Sequence, residues 1–427
     1  MGNRKNHYVK KVTEQVRSKE AKEQVEAELT YHLRETQKAL LNKGLNEMQA
    51  EERAIEQMGS PVHLGIQLNS LYRPKLDWAM LTLFLLIIGF SFLPLVAINA
   101  ADLGSYIGKK SVMAVLGVVA AIGLMFFDYR KLKNLHWLFL GIGIILLLLL
   151  NFLSTGMMNG YPIIDFGPLS FQILHTLPIL FLFWASFLVQ EQAVFWKAAL
   201  FFLLTSALML NAGGIAAFMI YSVMVFIMLI TSSLSNKKIF GFAAVCLALI
   251  ASILAIIFTS LKEYQLERFY AFLNPEMYSE TSGYMYIQIN QIVSESTWFG
   301  NLGDMQFIPS AHTDFIFLNI IHHFGWAAGL LLLLALTGVA VRMVYIARQL
   351  KDPYGKMLLS GGVALFVVQA IYNIGMIFGV LPLISMSLPL LSYGFWPTML
   401  GALVVGIFLS VYRRKNFNIR AEPKSLH

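Results

Sequence analysis

The side chains best suited to chemistry gather in the segment 308–323, which leads into a long apolar run. It holds His312, Asp314, His322 and His323, and imidazole and carboxylate groups are ordinary metal ligands. In a continuous helix, His322 and His323 would lie about 12 Å beyond Asp314, at roughly 1.5 Å per residue. They cannot then share one ion with Asp314, so we predict no metal site and expect both histidines to pair with polar groups inside a helix bundle.

Asp314 itself allows two interpretations. Together with Thr313 it can cap the N-terminus of a helix, since both side chains accept a backbone N–H well, and the residues alone favour this interpretation. An ionisable group at the edge of a membrane helix is ordinary, whereas one deep within such a helix indicates function. His175, in an earlier apolar segment, can form a hydrogen bond or titrate within a bundle.

Composition places these residues in a membrane protein. The 427 residues are 57% hydrophobic and 13% charged, against roughly 25% charged in soluble domains. Residues 1–77 hold 13 of the 32 Lys and Arg and 11 of the 24 Asp and Glu. This distribution excludes a soluble enzyme and a disordered protein. Cys246 is the single cysteine, which excludes a secreted disulfide scaffold.

Apolar runs near the roughly 20 residues that cross a bilayer follow one another after Pro74. They predict ten spans, at residues 78–100, 111–127, 136–153, 169–189, 194–211, 213–231, 239–260, 314–341, 357–382 and 389–411. The short connection 211–214 can also mark a broken helix. We therefore expect an all-α fold, a polytopic transmembrane helical bundle preceded by a small soluble helical bundle.

Basic loops predict the orientation, since Lys and Arg are retained on the cytoplasmic side. Such loops follow the even-numbered spans, at 129–133, 237–238, 342–356 and 413–415. Both termini are therefore predicted to be cytoplasmic, with Lys109–Lys110 as one discordant pair. The loop 261–313 then lies outside, where its aromatic residues can stack on sugars or form a belt at the membrane surface. No basic surface is interleaved with aromatic residues, so we expect no nucleic-acid partner.

Residues 1–73 form a separate charged region. Apolar residues recur at helical spacing between Val9 and Leu41, and a further helix starts near Asn46 and stops at 59–61. We predict a cytoplasmic bundle of three or four helices, either a prefix domain like those of some bacterial permeases or a handle without a specific partner. The predicted domains are this head, the membrane domain 78–415 and a cytoplasmic tail, 416–427.

Two segments carry a family resemblance. Residues 308–317 read IPSAHTDFIF, and residues 373–394 contain NIG, GVLP and LPLLSYG. Weaker support comes from 128–130, from 167–172 and from Arg268 with the segment 272–275. Over residues 78–415 the chain resembles the shape, elongation, division and sporulation (SEDS) family, typified by FtsW, RodA and SpoVE. Ten spans, cytoplasmic ends and a large outer loop agree with that family.

The resemblance implies a glycosyltransferase of the bacterial plasma membrane that polymerises the disaccharide of lipid II in cell shape, division or sporulation. The implied partner is a class B penicillin-binding protein, a transpeptidase. Asp314 falls on the family's catalytic aspartate, which would accept a hydroxyl proton while cations offset the diphosphate charge. Arg268 is the first cationic candidate and Lys262 the second. The other implied substrate-binding residues are Gln172, His175, His312, Ser392 and Tyr393. No cofactor is expected with certainty; a divalent cation is the one candidate.

Several family positions differ in this chain. The family's Glu and Lys in Q-P-S-E-x-x-K are His175 and Pro178, and Phe395–Trp396–Pro397 replaces the Gly-Ser-Ser that follows S-Y-G. A chain can keep a fold while losing its activity. Three hypotheses therefore stay open: a lipid II glycosyltransferase, a flippase-like transporter of the lipid-linked precursor, and a non-catalytic scaffold for a transpeptidase.

Overall fold

The structure is a computed structural model. It describes residues 3–97, 100–158, 161–165, 167, 170–190, 195–232, 263–301 and 308–416, with isolated positions at 234, 237, 240–242, 244 and 248. The chain divides into two compact units, one of Met1–Asp77 with Val411–His427 and one of Trp78–Ser410. Most of the predicted seventh span, 239–260, and the predicted tail beyond Asn416 lie outside the described residues.

The head contains four helices, α1 (Asn3–Glu14), α2 (Lys19–Leu41), α3 (Glu47–Met58) and α4 (Pro61–Tyr72). Ser18 and Asn46 cap α2 and α3 by accepting backbone N–H groups of the first turn. The apolar residues that recur at helical spacing form the core, with Val12, Val25 and Leu33 almost fully buried. The predicted helical bundle is therefore confirmed, at four helices.

The membrane unit consists mainly of apolar helices. They are α5 (Trp78–Phe90), α6 (Ala100–Phe126), α7 (His136–Phe152), α8 (Leu177–Leu188), α9 (Phe195–Asn211), α10 (Ile215–Thr231), α11 (Glu263–Leu273), α12 (Tyr284–Glu295), α13 (Ile316–Gln349), α14 (Pro353–Ile377) and α15 (Phe395–Arg413). Within the described ranges, five stretches are long and apolar enough to cross a membrane, those of α5, α6, α13, α14 and α15, and α7–α10 are shorter apolar helices. The predicted polytopic helical fold is confirmed.

Several predicted span limits are wrong. Helix α6 begins at Ala100 instead of 111, because Asp102, Lys109 and Lys110 lower the hydropathy of its first turns without breaking the helix. Helices α13 and α15 begin after the predicted 314 and 389. Helices α9 and α10 are separate, and Gly213 has φ +71° between them.

A small antiparallel sheet lies where the sequence predicted a loop and the start of the fourth span. Its strands are β1 (Gly156–Met158), β2 (Tyr161–Asp165) and β3 (Ser170–Gln172), with Met157 opposite Pro162 and Ile164 opposite Phe171. Strands of three to five residues are too short for a clear alternating pattern. A 3₁₀ turn, Ile173–Thr176, then connects β3 to α8.

The predicted long loop contains α11 and α12, and a glycine contact fixes its end against α13. Gly325, with φ +81°, interrupts α13. A Cβ at Gly325 would lie 2.3 Å from the Trp298 carbonyl oxygen, and one at Gly300 would lie 2.1 Å from the His323 carbonyl oxygen. Only glycine allows the two backbones to approach this closely.

Candidate functional site

A cavity of about 450 Å³ opens in the membrane unit where three segments meet. These segments are β3 with the 3₁₀ turn after it, the turn 308–315 before α13, and residues 385–397 before and at the start of α15. Five of the predicted site residues line this cavity: Gln172, His175, His312, Asp314 and Tyr393. The sequence predicted these residues, and the structure brings them to one place.

Asp314 lies in the turn ahead of α13 and is 9% exposed. Its Oδ2 accepts a 2.7 Å hydrogen bond from the Ser385 hydroxyl, and its backbone carbonyl accepts one of 2.7 Å from Asn373 Nδ2. The residue preceding α13 is Phe315, and no side chain caps that helix. The helix-capping interpretation of Asp314 is therefore wrong, and its carboxylate is free to serve the cavity.

Burial controls the acid–base properties of the site. It raises the pKa of the Asp314 carboxyl above the usual value, while the Ser385 hydrogen bond opposes this rise. Burial also lowers the pKa of His312, which favours a neutral ring. Asp314 is the one Asp, Glu, Lys or Arg side chain among the cavity residues that the structure describes. The cavity thus offers one basic oxygen group amid hydroxyls, amides and rings.

Ser392 lies behind the cavity, not in its wall. It is fully buried, and its hydroxyl donates to the Thr313 carbonyl at 2.6 Å and accepts from the Leu388 N–H at 2.8 Å. The predicted substrate-binding role of Ser392 is therefore wrong, since both contacts are to backbone. Tyr393 lines the cavity, and its N–H donates to the His312 carbonyl at 3.0 Å.

His175 contacts a second position at which the chain departs from the family pattern. Its ring stacks on Trp396 with centroids 4.1 Å apart and planes inclined by 21°. Its Nδ1 accepts the Gln172 N–H at 2.9 Å, which leaves the proton of the neutral ring on Nε2. Trp396 Nε1 donates to the Ser170 carbonyl at 2.8 Å. The two departures therefore form one aromatic wall.

The predicted cations do not join this cavity. Arg268 lines a separate groove of about 720 Å³ with Glu267, Tyr286 and Leu383. Lys262 lies outside the described residues. Sequence reasoning missed Ser385 and Asn373 as partners of Asp314, and no spacing in the sequence signals either contact.

The histidines of α13 also differ from expectation. His322 is 3% exposed, and neither of its ring nitrogens has a hydrogen-bond partner among the described residues. The expected pairing of His322 within the bundle is therefore not observed. Within the same part of the chain, no group of three His, Cys, Asp or Glu side chains could hold a metal ion.

Comparisons with known proteins agree with this architecture. The family described as Cell cycle protein (FTSW_RODA_SPOVE) matches residues 75–416. The chain is 25% identical over 370 residues to a probable peptidoglycan glycosyltransferase FtsW of Nitrosomonas europaea, covering 80% of this chain and 94% of that protein. It is 31% identical over 159 residues to stage V sporulation protein E of Bacillus subtilis, covering 36% and 43% of the two chains.

A solved structure shares the fold. A chain of the structure described as "Structural coordination of polymerization and crosslinking by a peptidoglycan synthase complex" superposes with a TM-score of 0.67 and 24% identity, covering 80% of this chain and 98% of the other. Since the family match spans most of the sequence and the helices follow the same fold, this chain belongs to the FtsW/RodA/SpoVE family of cell cycle proteins.

Proposed function

We propose that this membrane protein is a peptidoglycan glycosyltransferase that polymerises the lipid II disaccharide, with Asp314 as its general base. The observation that carries the proposal is the buried Asp314 carboxylate, held by Ser385 in a cavity of about 450 Å³. A carboxylate with a raised pKa is a better proton acceptor than an ordinary surface aspartate. The FtsW relative named as a probable peptidoglycan glycosyltransferase supports the same reaction.

In the proposed reaction, a sugar hydroxyl of one substrate attacks the anomeric carbon of the other. Asp314 takes the hydroxyl proton as the new C–O bond forms, and the bond to the lipid diphosphate breaks with its electron pair leaving on the diphosphate. The described cavity walls hold no Lys or Arg to offset that charge. Nor do the described residues form a metal site, so no step is assigned to a divalent cation.

The organisation that accompanies this function is also proposed. The head 1–73 and the tail 416–427 are cytoplasmic, the membrane domain is 78–415, and the cavity faces outward with the loop 261–313. The basic loops support this orientation. A class B penicillin-binding protein is the proposed partner, since the solved relative belongs to a complex that polymerises and crosslinks.

A non-catalytic scaffold is the second candidate, and the His175–Trp396 contact favours it. These two residues stand where the family carries an acid and a small residue, and their stacked rings fill part of the cavity wall. A cavity narrowed in this way would bind substrate less well while leaving the outer membrane surface intact. A flippase-like transporter has no comparable observation in its favour.

The test is polymerisation of lipid II by the purified full chain with its transpeptidase and a divalent cation. Asp314→Asn keeps the size of the side chain but cannot accept the proton, so the rate should fall about 10²- to 10⁴-fold. Asp165→Asn, at the exposed end of β2, is the matched control and should retain wild-type activity. If the wild-type protein makes no polymer, the enzyme proposal fails and the scaffold takes its place.

A further inference from the structure

Lys110 is a charged residue inside a membrane helix. It lies within the stretch of α6 that is apolar enough to span a membrane, Leu103–Phe126, and is 1% exposed. Charged side chains at such positions are costly and indicate function. Its neighbour Lys109 is exposed, so the two lysines differ sharply in environment. The sequence had placed both of them in a loop.

The ammonium of Lys110 contacts a single turn of the chain. Nζ donates to the Leu391 and Ser392 carbonyls, each at 3.2 Å. Leu390 in this turn has φ +67°, a conformation that side chains other than glycine avoid. Such a conformation persists only where surrounding contacts hold it. Lys110 supplies two of those contacts, and both are hydrogen bonds from a charged donor.

The same turn holds the residues immediately before Asp314. The Ser392 hydroxyl donates to the Thr313 carbonyl at 2.6 Å, and the Tyr393 N–H donates to the His312 carbonyl at 3.0 Å. A chain of hydrogen bonds therefore runs from Lys110 through Ser392 to the backbone that carries Asp314. Displacing the turn would displace this backbone as well.

We propose that Lys110 is a positioning residue, which fixes the turn 388–393 and through it the orientation of Asp314. Its effect on catalysis rests on the proposed function, whereas its effect on the turn does not. Since Lys110 touches no cavity residue other than through this turn in the described contacts, its loss should lower kcat and leave KM nearly unchanged.

Hydrogen exchange of the purified full chain tests the positioning directly. Lys110→Met and Lys110→Gln remove the charge, and the amides of 388–394 and 308–315 should then exchange about tenfold faster or more. Lys110→Arg retains a cation with several donors and should restore much of the protection. Lys109→Met is the matched control and should leave exchange in both segments at the wild-type rate.

Each outcome decides the proposal. Unchanged exchange at 388–394 in Lys110→Met overturns it, as does a uniform increase that includes α8 and α10, because that would show general destabilisation. If polymerisation is lost while exchange is unchanged, Lys110 acts on the ligand and the positioning role is wrong. If the wild type makes no polymer but the local exchange effect appears, the positioning role stands and the proposed function fails.

Discussion

The Ser385 hydroxyl donates a 2.7 Å hydrogen bond to Oδ2 of Asp314, across 71 positions of sequence. This contact joins the turn before α13 to the segment before α15. It also stabilises the ionised form of a carboxyl whose pKa burial raises. The strength of Asp314 as a base is therefore set by two opposing contributions, and each can be altered separately.

Ser385→Ala should move the pH dependence of activity. Without the hydroxyl, the ionised carboxylate loses its donor and the pKa of Asp314 rises further. Because a general base works only when ionised, the acidic limb of the pH–rate profile should shift to higher pH. The profile of kcat against pH measures this shift. Ser387→Ala, which changes another cavity hydroxyl, should leave the limb in place, and an equal shift in both variants would contradict the assignment.

Gly325→Ala should destabilise the membrane unit. Gly325 has φ +81°, and its added Cβ would lie 2.3 Å from the Trp298 carbonyl oxygen and 2.4 Å from the Gly300 nitrogen. The backbone strain alone costs about 1–3 kcal/mol, and relief of the clash would separate Gly300 from α13. Thermal unfolding in detergent measures the loss. Gly123→Ala, where nothing lies within 4 Å, is the control and should not lower the unfolding temperature; a similar loss there would remove the explanation.

Glu20→Gln should loosen the head unit. Arg414 is 1% exposed, and its Nη2 donates to Glu20 Oε1 at 2.8 Å within this unit. The glutamine keeps an acceptor oxygen but leaves the buried guanidinium without its counter-charge, at a cost of about 1.5–3 kcal/mol. Hydrogen exchange in α2 and in residues 411–416 should accelerate. Glu26→Gln, on the exposed surface of α2, should have no such effect, and unchanged exchange in Glu20→Gln would show that the ion pair does not stabilise the unit.

Reporter fusions should establish the orientation in the membrane. The excess of Lys and Arg at 342–356 and 413–415 predicts that these segments are cytoplasmic. A reporter fused after Ser279 should be active only outside, and one fused after Arg348 only inside. Either reporter on the opposite side would contradict the predicted topology, whatever the activity of the protein.

The sequence by itself determined the helical architecture of the protein. Apolar runs located the membrane helices because a bilayer demands long apolar segments, and helical spacing identified Val12, Val25 and Leu33 as core residues of the head. The motif around Asp314 identified the candidate base, since its residues are contiguous in the chain. These features are local, and a local pattern can be read without knowing which segments meet.

Tertiary structure decided everything that depends on distant segments meeting. Ser385 reaches Asp314, Trp396 stacks on His175, and Lys110 binds the turn before Tyr393. None of these contacts follows from spacing, because each joins residues at least 71 positions apart. The same packing turned Ser392 inward and placed Arg268 in another groove. Sequence supplied the chemical groups of the site, and only packing decided which of them share the cavity.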